Sequence, residues 1–237
     1  MSDPFVTKNI LKWYDLNKRS LPWRKNVSKE KRQYNTLISE FMLQQTQVAT
    51  VIPYFNKFVK EIPNIKKLAS VDNKKLIKLW EGLGYYSRAR NLKKAAQSVI
   101  KNFNGVIPDN FDDLKSLSGI GDYTANAILA IAFNKPYIPL DGNVERIIKR
   151  YLYLKKEKEI QKENLIEKKS ILGFSNRSSD YAQALMEFGA LVCKPTNPLC
   201  CQCPITKKCK SFQKKDFNLT KNSKKYKDKY FLLKVYK

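Results

Sequence analysis

The chain has 237 residues, with 46 Lys+Arg against 21 Asp+Glu and no histidine, for a net charge of +25. No apolar run reaches the roughly 18 residues of a membrane span, no secretory core opens the chain, Gly and Pro are sparse, and the cysteine number is odd. These features exclude membrane, secreted disulfide-framework and collagen-like classes and predict a soluble protein of a reducing compartment whose basic surface meets a polyanion, nucleic acid first; a solvated spread of lysines is the plainer account of the charge.

The apolar spacing is helical from the start. Helices are predicted over 5–18, 34–49, 52–61, 73–80, 86–102, 122–133 and 158–170. The stripes Val144, Ile147, Ile148, Tyr151 and Tyr181, Leu185, Phe188, Val192 mark two more. Pro22, Pro53, Pro63, Pro108, Pro136 and Pro139 punctuate them. No alternating strand pattern appears before the last few residues, so the predicted fold class is all-α.

In the second helix Glu40 stands among Leu37, Phe41 and Leu43. A glutamate pressed among apolar groups has a raised pKa and holds a proton near neutral pH, whereas a lone acid on a helix is more often solvated. Gln44, Gln45 and Gln47 follow, polar groups suited to base edges or to an exposed face. Further on, Leu117-Ser118-Gly119-Ile120-Gly121-Asp122-Tyr123-Thr124-Ala125 opens the helix at 122. Gly119 and Gly121 permit a tight turn with free backbone amides, and the helix adds its positive end. Together they form a hairpin that can grip phosphate without reading sequence; an ordinary helix–helix turn is the alternative. The proline-rich loop Lys135 to Leu140 then delivers Asp141 to the start of the helix carrying Val144. Aspartate caps helices well, and amide donors with the helix dipole keep it ionised. Cleavage of a glycosidic bond needs one neutral and one ionised carboxyl group, the first to protonate the leaving group and the second to stabilise a sugar cation.

Four cysteines follow, Cys193, Cys200, Cys203 and Cys209, spaced C-x6-C-x2-C-x5-C. Thiolates so close together select zinc or an iron–sulfur cluster. The spacing fits neither paired zinc knuckles nor the common ferredoxin runs, and ligand type alone leaves a zinc clip open. Lys194, Lys207, Lys208 and Lys210 around them suit phosphate contact or plain solvation. Residues 213–229 read as a lysine-dense linker. Tyr230-Phe231-Leu232-Leu233, with Val235 and Tyr236, reads as a strand without a partner.

Taken together, Leu21-Pro22-Trp23-Arg24, the segment Ser39 to Val48, Trp80-Glu81-Gly82-Leu83-Gly84-Tyr85-Tyr86, the hairpin, Leu140-Asp141-Gly142-Asn143-Val144 and the cysteine spacing resemble the adenine DNA glycosylase (MutY-type) branch of the helix-hairpin-helix glycosylases, from about residue 8 to residue 212. The hairpin and cysteine loop are shared with endonuclease III. The resemblance implies removal of adenine mispaired with 8-oxoguanine or guanine in double-stranded DNA, with one [4Fe–4S] cluster on the four cysteines and Cys201 as a bystander. It assigns Glu40 to protonation of the flipped adenine, Asp141 to the sugar cation and Asn143 to its support. Trp23, Arg24, Leu43 and Glu187 match its base pocket, and Gln45 and Tyr85 match residues that wedge the duplex. Tyr123 stands where bifunctional relatives place a lysine, so little strand cleavage is expected. Asp122 departs from the family, because an acid beside a phosphate is unfavourable. Expected too are two lobes: a six-helix barrel over 26–134, and a cluster domain of 1–25 plus 135–212. Residues 213–237 would be a basic linker and the first strand of a missing 8-oxoguanine-recognition domain, with weakened discrimination as the consequence. The expected state is a monomer in the bacterial cytoplasm, associated with the nucleoid. A thymine glycosylase acting on T·G mispairs, a non-catalytic DNA-binding remnant and an endonuclease III-like lyase are the rival readings.

Overall fold

The computed structural model describes residues 4–217, so the strand-like run at 230–236 and most of the basic linker lie outside the described residues. No strand occurs among the described residues, and the fold is all-α. Helices α1 (Pro4–Asn17), α2 (Lys29–Leu43), α3 (Val48–Glu61), α4 (Ile65–Ser70), α5 (Asn73–Trp80), α6 (Ser87–Asn102), α7 (Phe111–Ser116) and α8 (Asp122–Phe133) are followed by α9 (Gly142–Leu152), α10 (Lys162–Lys168), α11 (Ser178–Leu191) and α12 (Lys210–Gln213).

Three expectations need correction. The helix predicted over 34–49 starts earlier, at Lys29, where Ser28 Oγ accepts from the Lys31 amide, and it stops at Leu43. Its end is fixed from outside: the Arg88 guanidinium takes the carbonyls of Phe41, Met42 and Gln44, which a continuing helix would have used itself. Pro53 does not interrupt a helix but lies inside α3, which begins at Val48. A proline there removes only the amide that would reach Ala49, an exposed residue whose carbonyl is open to water. The helix predicted over 158–170 is broken into α10 between two 3₁₀ turns, Glu157–Ile160 and Lys169–Leu172. Glu159 accepts from the backbone amides of Lys155 and Lys156 at 3.3 and 3.1 Å and closes the first of these turns locally. Helices α4 and α7 escaped the periodicity because each is only six residues long. Each is nonetheless capped by an asparagine, Asn64 or Asn110, that accepts from the backbone amide three residues on.

Two hydrophobic cores result. The first is built from α2 to α8 around Leu37, Phe41, Phe55, Phe58 and Trp80. The second joins α1 (Val6, Ile10, Tyr14) to α9 and α11 (Val144, Ile148, Tyr181, Leu185, Phe188), with Ile205 from the cysteine loop. Each fully buried Leu, Phe or Val contributes about 1.5–3 kcal/mol. The first helix thus packs against elements from the other half of the chain, and Trp13 meets Phe188 edge to face at 5.5 Å. Helix α8 packs on both α2 and α11. Its alanines Ala125, Ala127, Ala130 and Ala132 are buried, and their small side chains let two helices approach it. The segment from Lys18 to Ser28 crosses from the second core to the first, with Trp23 edge-on to Phe55 at 5.3 Å.

Candidate functional site

A cavity of about 220 Å³ lies where α2, α8, α11, the start of α9 and the crossing segment converge. Helix α2 presents Thr36, Ser39, Glu40 and Leu43 to it, and α11 presents Gln183, Met186, Glu187 and Ala190. In both helices these are i, i+3, i+4, i+7 positions, a single face. The neighbouring faces carry the apolar stripes that fill the two cores. Each helix therefore buries two faces, one apolar and one polar, and the polar faces meet across the cavity.

The carboxyl group of Glu40 is buried, and desolvation pushes its pKa from 4.5 up to about 7, with the Asp141 charge adding to the rise and a hydrogen bond from Tyr123 opposing it. Tyr123 enters from the first turn of α8. Its hydroxyl lies 3.3 Å from Met186 Sδ, and burial together with the two carboxylates raises its pKa well above the phenol range. Asp141 caps α9, its Oδ1 accepting from the Val144 amide at 2.8 Å and its Oδ2 from Asn143 Nδ2 at 2.8 Å. Burial outweighs these donors and raises its pKa above the usual carboxylate value. The sequence-based expectation weighed only donors and dipole, which pull the other way.

Asn143 is itself held: Arg146 Nη2 donates to its Oδ1 at 2.7 Å and to the Gly189 carbonyl at 2.8 Å, while Arg146 Nε donates to the Cys193 carbonyl at 2.7 Å. Opposite, the fully buried Glu187 accepts from the Arg19 amide at 2.7 Å, from Arg19 Nε at 3.1 Å and from Arg24 Nη1. A buried carboxylate with two guanidinium partners and an amide has its hydrogen-bonding capacity satisfied. Arg24 Nε, by contrast, is buried without an acceptor.

The cavity thus brings together Glu40, Asp141, Tyr123, Asn143, Trp23, Arg24, Leu43 and Glu187. It does not contain Gln45, Tyr85, Gly119 or Gly121. Gln45 and Tyr85 are exposed at the ends of two turns. Gly119, in the turn between α7 and α8, has φ +81°, and a Cβ there would press on Phe41 and Asn91 at 2.9 Å. Gly121 caps α8 and faces open space. Asp122 is paired with Lys115 at 2.6 Å and with Lys162 at 3.7 Å, so the acid that departs from the family pattern sits beside two cations. Residues missed by sequence reasoning are Arg19, Arg146 and Gly189. An α-carbon hydrogen at 189 leaves room for Asn143, whose Cβ would lie 2.5 Å from an added methyl group.

Cys193, Cys200, Cys203 and Cys209 line one small apolar recess with Ile147, Tyr151, Val192 and Arg150. Burial raises the thiols of Cys200, Cys203 and Cys209, that of Cys203 to about 12. Arg150 Nη1 lies 3.5 Å from Cys193 Sγ and donates to the carbonyl of Lys194, while Nη2 donates to that of Pro195. Among the described residues no three Cys, His, Asp or Glu side chains converge on one ion-sized point. No helix among them is long and apolar enough to cross a membrane.

Residues 38–172 match the HhH-GPD superfamily of base excision DNA repair proteins, and the chain belongs to that family. It is 41% identical to a rat adenine DNA glycosylase over 214 residues, covering 87% of this chain and 42% of that protein. It is 42% identical to the adenine DNA glycosylase of a Buchnera aphidicola strain over 209 residues, covering 86% and 58%. The chain therefore spans about half the length of these relatives. Among solved structures, a thermostable thymine-DNA glycosylase superposes with a TM-score of 0.78 at 28% identity, covering 88% of this chain and 95% of the other. An endonuclease III trapped on DNA superposes at 0.71 with 23% identity, a likeness of fold.

Glu40→Gln tests the burial. The folded-state pKa is raised, so both forms are protonated and equal near pH 4, and the parent loses stability as pH rises from 4.5 through about 7. At pH 8 the variant is expected to be roughly 3 kcal/mol more stable. Urea melts at the two pH values check this; equal midpoints at pH 8 would refute it. Gly189→Ala is expected to move Asn143 off Asp141 and to lower stability by about 1.5–3 kcal/mol, the loss of one charge-assisted hydrogen bond, read as a lower urea midpoint.

Proposed function

We propose that this chain is a monofunctional DNA glycosylase that hydrolyses the N-glycosidic bond of adenine mispaired with 8-oxoguanine or guanine. The observation carrying this reading is the cavity that holds Glu40, protonated near neutrality, beside Asp141, in a chain 41–42% identical to adenine DNA glycosylases.

Base excision needs a flipped nucleotide and two carboxyl groups in different protonation states. Glu40 keeps its proton to about pH 7 and delivers it to the departing base. Asp141 is the ionised partner. Its two accepted hydrogen bonds and the Arg146 charge behind Asn143 favour the anion, and the anion stabilises positive charge on the sugar. Arg24 Nε, unpaired in the wall, is a donor for the base. Water completes the reaction, since Tyr123 supplies no amine for a Schiff base. Gln45, Tyr85 and the Gly119–Gly121 turn lie outside the cavity, where they can engage the duplex and its phosphates. The two cores read as two lobes with DNA between them.

The four cysteines are proposed to hold one [4Fe–4S] cluster. The C-x6-C-x2-C-x5-C spacing and the single recess that all four thiols line support this reading. When bound, such a cluster cross-links the loop that presents Cys193 to Arg146.

The superposition of 88% of this chain on a thymine-DNA glycosylase supports a second substrate reading, T·G mispairs. Single-turnover assays on duplexes carrying A·8-oxoguanine, A·G or T·G separate the two. The expected result is strand breakage at adenine only after alkali, no reaction with Glu40→Gln, and a rate that falls as pH rises through about 7, because the acid form of Glu40 is consumed. Release of thymine but not adenine would replace the proposal, and abundant borohydride-trapped protein would overturn the monofunctional reading. For the cluster, iron and sulfide are expected to co-purify with the chain, to be lost in Cys203→Ser and kept in Cys201→Ser.

A further inference from the structure

Arg88 lies on the buried face of α6 with Ala89, Leu92, Ala95, Ala96 and Val99, a cation on an otherwise apolar stripe. Its acceptors are five main-chain carbonyls and one hydroxyl. Nη1 donates to Phe41 O at 3.2 Å, Met42 O at 2.9 Å and Gln44 O. Nη2 donates to Leu83 O at 3.1 Å, Gly84 O at 3.2 Å and Thr46 Oγ1 at 3.1 Å. Two of these carbonyls are distinctive. Gln44 and Gly84 each immediately precede a non-glycine residue with left-handed backbone, Gln45 at φ +58° and Tyr85 at φ +48°. Side chains other than glycine, asparagine and aspartate rarely adopt that region, and it persists where the surroundings over-determine it. Here one guanidinium fixes the peptide plane before each. Its flat face also lies over the rings of Tyr85 and Trp80, at 5.6 and 5.7 Å. Tyr85 remains 63% exposed beyond this support, and Gln45 is exposed as well.

We propose that Arg88 is a positioning residue that locks the turns of Gln45 and Tyr85 into one rigid two-pronged edge, and that this edge controls unstacking of the mispair and not bond cleavage. The inference rests on the glycosylase reading above. A lysine cannot replace it: an ammonium has three donors around a point and no plane, whereas the fork reaches two chain segments at once.

The test uses the full chain and Arg88→Lys, with two substrates and a reporter. One duplex carries adenine opposite 8-oxoguanine, the other carries adenine as an unpaired bulge, and 2-aminopurine beside the adenine reports unstacking by fluorescence. In the variant, the fluorescence rise and single-turnover cleavage of the paired adenine are expected to fall at least about tenfold, as for loss of hydrogen bonds to a charged group. Cleavage of the bulged adenine stays at the parental rate. Hydrogen exchange is expected to accelerate at residues 44–46 and 83–86 while both cores stay protected. Equal loss on both substrates, no loss on either, or a variant that no longer melts cooperatively assigns Arg88 to folding alone and overturns the proposal. If the parent releases no adenine, the glycosylase reading fails, and the fluorescence of parent against variant still decides the role of Arg88.

Discussion

Desolvation of the Glu40 carboxyl group is the constraint around which the rest of the structure is arranged. A solvated glutamate at neutral pH has lost its proton and cannot donate one. Holding the proton to about pH 7 requires a site from which water is largely removed, and no single helix provides that. The fold creates it by letting α2 and α11 each bury an apolar stripe in its own core while their polar stripes face each other. The cost is a glutamate that destabilises the folded chain once ionised, and it is borne because the two cores on either side are well filled.

The same cavity handles its other charges differently. Glu187 is paired with Arg19 and Arg24, Asp141 accepts from the Val144 amide and Asn143 against an opposing burial, and Tyr123 donates to Glu40. Three acids within one cavity thus have three different surroundings. The chain Cys193 carbonyl, Arg146, Asn143, Asp141 ties the cysteine loop to the second carboxylate through three hydrogen bonds of 2.7, 2.7 and 2.8 Å. Gly189 sets how closely α11 can approach that chain.

How much of this is legible in the sequence depends on whether a feature is local. The stripe Tyr181, Leu185, Phe188, Val192 and the cap at Asp141 are readable because periodicity and capping act within one or two turns. The direction of the Glu40 shift is readable as well, although its cause is the cavity shared with α11 and not the apolar neighbours on its own helix. The upward shift of Asp141 is not readable, since local donors predict the opposite and burial is set by elements 100 residues apart. The end of α2 at Leu43 is hidden for a related reason: its carbonyls are claimed by an arginine 45 positions on. The lysine-rich composition predicted a basic surface but could not separate solvated lysines from the arginines that work inside.

That separation is informative in its own right. Arg88 and Arg150 interrupt the buried faces of α6 and α9, where a hydrophobic residue would have been the simpler choice, and Arg146 is half-buried on α9. Their acceptors are mainly main-chain carbonyls: of Phe41, Met42, Gln44, Leu83 and Gly84; of Gly189 and Cys193; of Lys194 and Pro195. A buried guanidinium without a carboxylate loses much of its solvation, so each site is stable only while several carbonyls are presented together. Loops that are irregular by necessity meet that condition, because their carbonyls have no helical partner. In this protein the turns carrying Gln45 and Tyr85, the start of α9 and the cysteine loop are all held this way. An arginine on an otherwise apolar helical stripe is therefore the sequence signal for a loop organised from beneath, and it marks the segments whose shape the chemistry needs but whose own residues do not determine.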